Sequence, residues 1–237
     1  MTIKAVGFDY FGTLIEAKAE GSVCIDSMCD CLYDSGYTFS KSDFVLNYQA
    51  VALAHRTTRN NELREVNNGV WISDTLNRMG YDTNPNDKQV ISVVESYFNP
   101  WKVELMPDAF RLLEQLKGKY TITLVSNFTD SNFLNKTLSQ LGLTEFFNNV
   151  IISDEFGWRK PHPNIFKRFL ELSNVKPEEA VFIGDDLGVD IKGAKGLGIK
   201  TVYLATKTSL VNVSATIPEF TIKSLSEVSK LLLNLQI

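Results

Sequence analysis

The chain is short of the residues that mark several common functions. Its 237 residues include two histidines and three cysteines. His55 and His162 lie far from the cysteines in sequence, so zinc-ligand spacing has little support. Cys24, Cys29 and Cys31 are odd in number and crowded together, which argues against a disulfide framework. Cys24 and Cys31 share a helical face with Met28, so packing within a helix is their expected role. Basic charge is not in excess either. There are 24 Lys and Arg against 28 Asp and Glu, a formal charge of −4, and a nucleic-acid footprint is missing. No apolar stretch reaches the roughly 18 residues that span a bilayer. Internal repeats and low-complexity segments are absent. Met1-Thr2-Ile3-Lys4-Ala5 runs directly into a strand without a signal-peptide pattern, so the cytoplasm is the expected location.

What is present is ordinary in bulk and specific in arrangement. Hydrophobic residues make up 44% and charged residues 22%, enough to fill a sizeable core. The length suits a core domain plus one insert. After about residue 105 strands and helices alternate. Asp108 to Lys117, Ser131 to Leu141, Pro163 to Ser173 and Val189 to Leu197 read as helices. Thr121 to Val125, Val150 to Ile152, Val181 to Ile183 and Lys200 to Leu204 read as buried strands. Thr221-Ile222 and a helix from Ser224 to Leu235 close the chain. This alternation predicts an α/β fold with a doubly wound parallel sheet.

Residues 16–100 lack buried strand runs. Helical stretches fall near Gly21–Asp34, Lys41–His55, Val66–Arg78 and Asp87–Tyr97, separated at Gly36, Gly80 and Pro85. The predicted organisation is an α/β core of residues 1–15 and 101–237 and a smaller all-helical domain of residues 16–100. An insert placed just after the first strand reads as a cap or lid, with hinges near 15–19 and 99–105.

Four places carry candidate chemistry. Asp9 ends the apolar run Ala5-Val6-Gly7-Phe8 and precedes Tyr10-Phe11-Gly12-Thr13-Leu14. A carboxylate at a strand's carboxyl end stands where open α/β sheets bind ligands. Ser126 and Asn127 end a second strand, where a hydroxyl and a backbone N–H suit an anionic oxygen. Lys160 lies between Arg159 and Pro161-His162-Pro163, just before a helix start. Asp185, Asp186 and Asp190 gather where a strand turns into a helix. Asp186 suits a helix cap. The other acids, brought near Asp9, would repel unless a cation such as Mg²⁺ joined them. Gly193, Gly196 and Gly198 do not match a dinucleotide fingerprint. Trp158 and His162 are expected to shape the Lys160 loop.

In this order, Asp9-x-Phe11-Gly12-Thr13, the Ser126 strand end, Lys160 and Gly184-Asp185-x-x-x-x-Asp190 resemble the four motifs of the haloacid dehalogenase-like hydrolases. The insert resembles that family's helical cap, and the match covers essentially the whole core. The resemblance implies that Asp9 attacks a substrate and forms a covalent aspartyl intermediate. It implies that Ser126 and Lys160 hold phosphoryl oxygens, with Gly12, Thr13 and Asn127 around them. Asp9, the Phe11 backbone carbonyl and Asp185 would hold Mg²⁺. Asp190 supports the site, and Asp186 is a further candidate ligand. Thr13 is expected to fix the loop. A small phosphorylated or halogenated acid would be the substrate of a monomer or homodimer, with no nucleic-acid or membrane partner.

One position departs from the phosphatase pattern. Family phosphatases usually carry a second aspartate two residues after the nucleophile, and here Phe11 stands there. Phenylalanine cannot move a proton, and such help is typically worth ~10²–10⁴ in rate. The expectation is a phosphatase acting on good leaving groups such as acyl or aryl phosphates. The alternatives are a 2-haloacid dehalogenase, whose family motif also has an aromatic residue there, and a weakly catalytic member that binds a phosphorylated ligand. Dehalogenases tend to have Ser-Ser-Asn where this chain has Asp185-Asp186-Leu187, and their halide-binding arginine has no clear counterpart among Arg56, Arg59 and Arg64. Trp71, His55 and Arg59 are candidates to line a substrate cleft.

Overall fold

Asp9 owes its place to a short strand with neighbours on both sides. In chain order the elements are β1 (Ala5–Phe8), β2 (Ile15–Lys18), α1 (Gly21–Asp34), α2 (Lys41–Glu62), α3 (Asn68–Arg78), α4 (Lys88–Phe98) and β3 (Lys102–Leu105). They continue with α5 (Ala109–Leu116), β4 (Thr121–Ser126), α6 (Ser131–Gln140), β5 (Asn149–Ile152), α7 (Ser153–Phe156), α8 (Pro163–Ser173) and β6 (Ala180–Gly184). The last are α9 (Lys192–Lys195), β7 (Lys200–Leu204), β8 (Phe220–Ile222) and α10 (Val228–Asn234). The structure, a computed structural model, describes residues 2–205 and 216–235. Met1, 206–215 and 236–237, all assigned to the core by sequence, lie outside the described residues.

The chain divides into two compact units, Met1–Ala17 with Val103–Ile237, and Lys18–Lys102. The first holds a six-stranded sheet in the order β5-β4-β1-β6-β7-β8. Its pairings are parallel, with Phe8 opposite Leu124 and Ile183. Successive side chains leave a strand on opposite faces. Val6 and Phe8 of β1, Leu124 of β4 and Ile183 of β6 therefore join one core with Leu112, Leu138 and Leu232. Ala5, Val125 and Phe182 join the other with Ile165, Phe166 and Phe169 of α8. Strands buried on both faces explain the near-continuous apolar runs in the sequence.

The second unit is helical. Its buried residues include Cys24, Met28, Cys29 and Leu32 of α1, Trp71, Ile72 and Leu76 of α3, and Val90, Val93 and Phe98 of α4. The three cysteines are free, and Cys31 is half-buried. Ser40 caps α2 by accepting from Asp43 N–H, and Asn67 caps α3 by accepting from Val70 N–H, each satisfying an end-of-helix donor. No described helix is long and apolar enough to cross a membrane.

Four elements differ from their sequence reading. Helix α2 was expected to end at His55 and runs to Glu62. The segment 56–62 loses the apolar period but contains no glycine or proline to stop it, and the helix ends only where Leu63 turns left-handed at φ 54°. Strands β2 and β3 were not expected; they pair as a two-stranded sheet at the two crossings between the units. The helix expected from Val189 to Leu197 is instead a π-helical turn, Leu187–Ile191, followed by α9. That turn shapes the site.

Candidate active site

The turn after β1 is wound tightly. Asp9 N–H donates to Ile183 O of β6 at 3.0 Å, and both Leu14 and Ile15 N–H donate to Tyr10 O at 2.9 and 3.0 Å. Gly12 sits at φ +91°, a conformation side chains disfavour. A Cβ there would also collide with the Asp185 carboxylate. Glycine at position 12 thus brings the β1 turn against the β6 turn.

The β6 turn carries the other acids. Asp186 Oδ1 accepts from Gly188 and Val189 N–H at 2.7 and 2.9 Å. Asp186 O accepts from Asp190 N–H at i+4 and also from Ile191 N–H at i+5, and the i+5 bond belongs to the wide π turn, a feature frequent at functional sites. Asp190 is thereby swung inward, where it is 2% exposed, and its Oδ2 accepts from Asp186 N–H at 3.1 Å. A side chain at Gly184 would strike the Asp190 carboxylate. Asp9, Asp185 and Asp190 each offer a carboxylate oxygen within 4.8 Å of the others. Among the described residues this is the one such group of acid, histidine or cysteine ligands.

Lys160 reaches into the same cluster. Its Nζ lies 2.5 Å from Asp9 Oδ1 and 2.7 Å from Asp190 Oδ1, and the residue is 2% exposed. Its backbone is gripped at both ends by Asn127, whose Nδ2 donates to Lys160 O at 2.8 Å while its Oδ1 accepts from Lys160 N–H at 2.7 Å. His162 caps α8 by accepting from Asn164 N–H, and Trp158 stacks on its ring at 3.8 Å. Thr13 Oγ1 donates to Asp9 Oδ2 at 3.3 Å and to Asp185 Oδ1 at 3.4 Å, tying the two turns together. Ser126 is buried at the carboxyl end of β4, beside β1.

Electrostatics set the character of this cluster. Burial, with Asp9 adding to it, pushes the Asp185 carboxyl up to about 7. Burial also raises Asp190, against the pull of Lys160. For Lys160, burial alone would lower the ammonium, but Asp190 and Asp9 outweigh it and the group is raised. Three carboxylates against one ammonium leave a net negative pocket that holds protons unless a cation replaces them. Closely set carboxylate oxygens are the hard donors that Mg²⁺ takes, so the residues present fit that ion.

The structure brings together Asp9, Thr13, Gly12, Lys160, Asp185 and Asp190, with Ser126 at the neighbouring strand end. Asp186 stands apart: its Oδ1 is spent on the helix-turn cap. Both ends of the Asn127 side chain hold the Lys160 backbone, a role the sequence reading did not give it beside the backbone N–H expected to meet an anionic oxygen. In the helical unit, His55 bonds Asp74 at 2.7 Å and stacks on buried Trp71. Arg56 and Arg59 lie over the Trp71 ring, and Arg59 pairs with Glu65 at 3.5 Å. These interactions account for the side chains by packing and pairing within that unit.

The sequence reading missed Phe128. Its ring stacks on Phe11 with centroids 4.5 Å apart and planes 17° from parallel. The available signal was an offset: Phe11 follows Asp9 by two residues, and Phe128 follows Ser126 by two, on adjacent parallel strands.

Several known proteins are similar to this chain. The model of the haloacid dehalogenase-like hydrolases matches residues 3–198. A glyceraldehyde 3-phosphate phosphatase of Pyrococcus furiosus is 42% identical over 132 residues, 54% of this chain and 53% of that one. The chain spans about half the length of the first such phosphatases it matches. A phosphoglycolate phosphatase of Vibrio parahaemolyticus is 27% identical over 228 residues, 95% of this chain and 94% of that one. The crystal structure of a 2-haloacid dehalogenase from Pseudomonas syringae has a TM-score of 0.73 at 20% identity, covering 98% of this chain and 99% of that one, a likeness of fold. The match runs from before the Asp9 strand to beyond the Asp190 turn, and it shows that this chain belongs to the haloacid dehalogenase-like hydrolase family.

Proposed function

We propose that the chain is a Mg²⁺-dependent phosphatase of small phosphorylated compounds, with Asp9 as nucleophile. The observation that carries this reading is the Asp9–Asp185–Asp190 cluster with buried Lys160 inside it. An acid cluster of this density beside an attacking carboxylate is costly unless a cation is its partner. The names of the Pyrococcus and Vibrio relatives support a substrate of this class.

An Asp9 oxygen attacks phosphorus, the bond from phosphorus to the leaving oxygen breaks, and an aspartyl-phosphate forms. Water then attacks phosphorus, releasing phosphate and restoring the carboxylate. Lys160 and Ser126 hold the phosphoryl oxygens and offset the charge that spreads over them. Asp9, Asp185 and the Phe11 carbonyl would hold the ion, and Asp190 holds Lys160. Bound Mg²⁺ supplies charge neutralisation and orients the phosphoryl group. Phe11 offers no proton, so the leaving group departs as an anion and must be weakly basic.

A second reading rests on Phe11. A halide needs no proton to leave, so the same Asp9 would suit a 2-haloacid dehalogenase. The clustered acids oppose it, because they repel an anionic haloacid. Phosphate release from p-nitrophenyl phosphate and chloride release from 2-chloropropionate, each with Mg²⁺ or chelator, separate the two. Mg²⁺-dependent phosphate release is expected. Chloride release that persists in chelator, without phosphatase activity, would replace this reading with the second.

A further inference from the structure

Phe11 does more than lack a proton. Its ring stacks on Phe128 at 4.5 Å, and Phe128 stacks on Phe133 at 5.8 Å with planes 27° apart. Tyr10 meets Phe11 edge-on at 5.0 Å. Three roughly parallel rings thus form a row drawn from the β1 turn, the β4 turn and the start of α6, and each ring is half-buried.

The backbone holds this row in place. Phe128 N–H donates to Ser153 Oγ at 2.9 Å, and Ser153 Oγ donates back to Phe128 O at 3.2 Å. Phe133 N–H donates to the Asp130 cap at 2.6 Å, and Ser131 N–H to Asp154 at 2.9 Å. Two of the rings follow, by two residues each, Asp9 and Ser126, the proposed nucleophile and phosphoryl-binding hydroxyl. Phe11 and Phe128 pack on one side against the core, and a partly exposed apolar row that starts two residues from both Asp9 and Ser126 favours a flat apolar group attached to an anion.

We propose that the Phe11–Phe128–Phe133 row is the specificity-determining surface for the leaving group, and that it selects phosphate esters and anhydrides with an aromatic leaving group. This rests on the phosphatase reading and sharpens it. Aromatic leaving groups are also weakly basic, so one row of rings supplies recognition and removes the need for an acid. Phe128 has no reacting atom and acts through contact alone.

The test compares phenylphosphonate with methylphosphonate as competitive ligands in the presence of Mg²⁺, by calorimetry, alongside turnover of p-nitrophenyl phosphate and acetyl phosphate. Wild type is expected to bind the phenyl ligand about 3–10-fold more tightly, the range one aromatic contact supplies. Phe128→Leu is expected to remove most of that ratio and to raise KM for p-nitrophenyl phosphate relative to acetyl phosphate by a similar factor. Phe133→Leu, at the far end of the row, serves as a second variant if Phe128→Leu does not fold. Equal binding of the two phosphonates by wild type, or a ratio untouched by either variant, would overturn the proposal. Aryl-selective binding with no phosphate release from any ester would keep the aromatic surface and sink the phosphatase reading instead.

Discussion

Asp9 and Phe11 are neighbours but one, and they place opposite demands on the turn they share. As the proposed nucleophile Asp9 has to reach phosphorus, and Lys160 at 2.5 Å holds its Oδ1. Asp9→Asn removes the attacking oxygen while preserving shape. Phosphate release from p-nitrophenyl phosphate should fall at least about 10³-fold, whereas the melting temperature in chelator at pH 8 should not drop, since one of three repelling carboxylates is gone. A large loss of stability with proportionate activity would show that Asp9 serves folding rather than attack. Phe11→Asp makes the converse trade. It restores an acid worth up to ~10²–10⁴, but it puts that acid against the Phe128 ring. Alkyl phosphate turnover should rise by less than that full range, and the preference for aryl substrates should shrink. A fall in alkyl turnover would mean that position 11 does not face the leaving oxygen. Asp9, Lys160, Asp185 and Asp190 were legible because each stands at a strand end or beside a helix start. The pairing of Phe11 with Phe128 was not, because a contact between residues distant in sequence leaves no trace in the period of either segment.

At the scale of elements, legibility followed the apolar period. Helix α8 begins at Pro163 and ends at Ser173 as read, since proline fixes its first turn and buried Ile165, Phe166 and Phe169 define one face. The π turn after β6 had no such marker. It depends on one side chain, Asp186, drawing two N–H groups toward itself, and that geometry exists only in three dimensions. The join between β4 and the Lys160 loop is similar. Asn127 makes both hydrogen bonds to the Lys160 backbone, and leaving such buried groups unpaired costs about 1–3 kcal/mol each. Asn127→Ala is therefore expected to reduce kcat roughly tenfold or more by loosening Lys160. In a Lys160→Ala background the same substitution should cost almost nothing further, because residues that act as a unit are not additive. Equal losses in both backgrounds would show that Asn127 touches the substrate itself.

At the scale of the whole molecule, the buried acid cluster lowers stability once its carboxylates ionise. The Asp185 carboxyl rises from its ordinary value of 3.8 to about 7 in the folded protein, mainly through burial. Between those values the folded state binds more protons than the unfolded chain, so stability falls as pH rises. Asp190 is displaced in the same direction by burial. Lys160, raised above the ordinary lysine range, loses its proton only at higher pH and does not enter this window. In chelator the melting temperature should therefore drop between about pH 4 and pH 7 and level off above it. A cation that takes the protons' place stabilises the folded state by mass action, and it does so most where the carboxylates are ionised. Mg²⁺ at a fixed concentration should thus raise the melting temperature more at pH 8 than at pH 5, and Asp185→Asn should remove most of that difference. A melting temperature flat across the window in chelator, or a Mg²⁺ effect equal at both pH values, would mean that the three carboxylates are not a cation site.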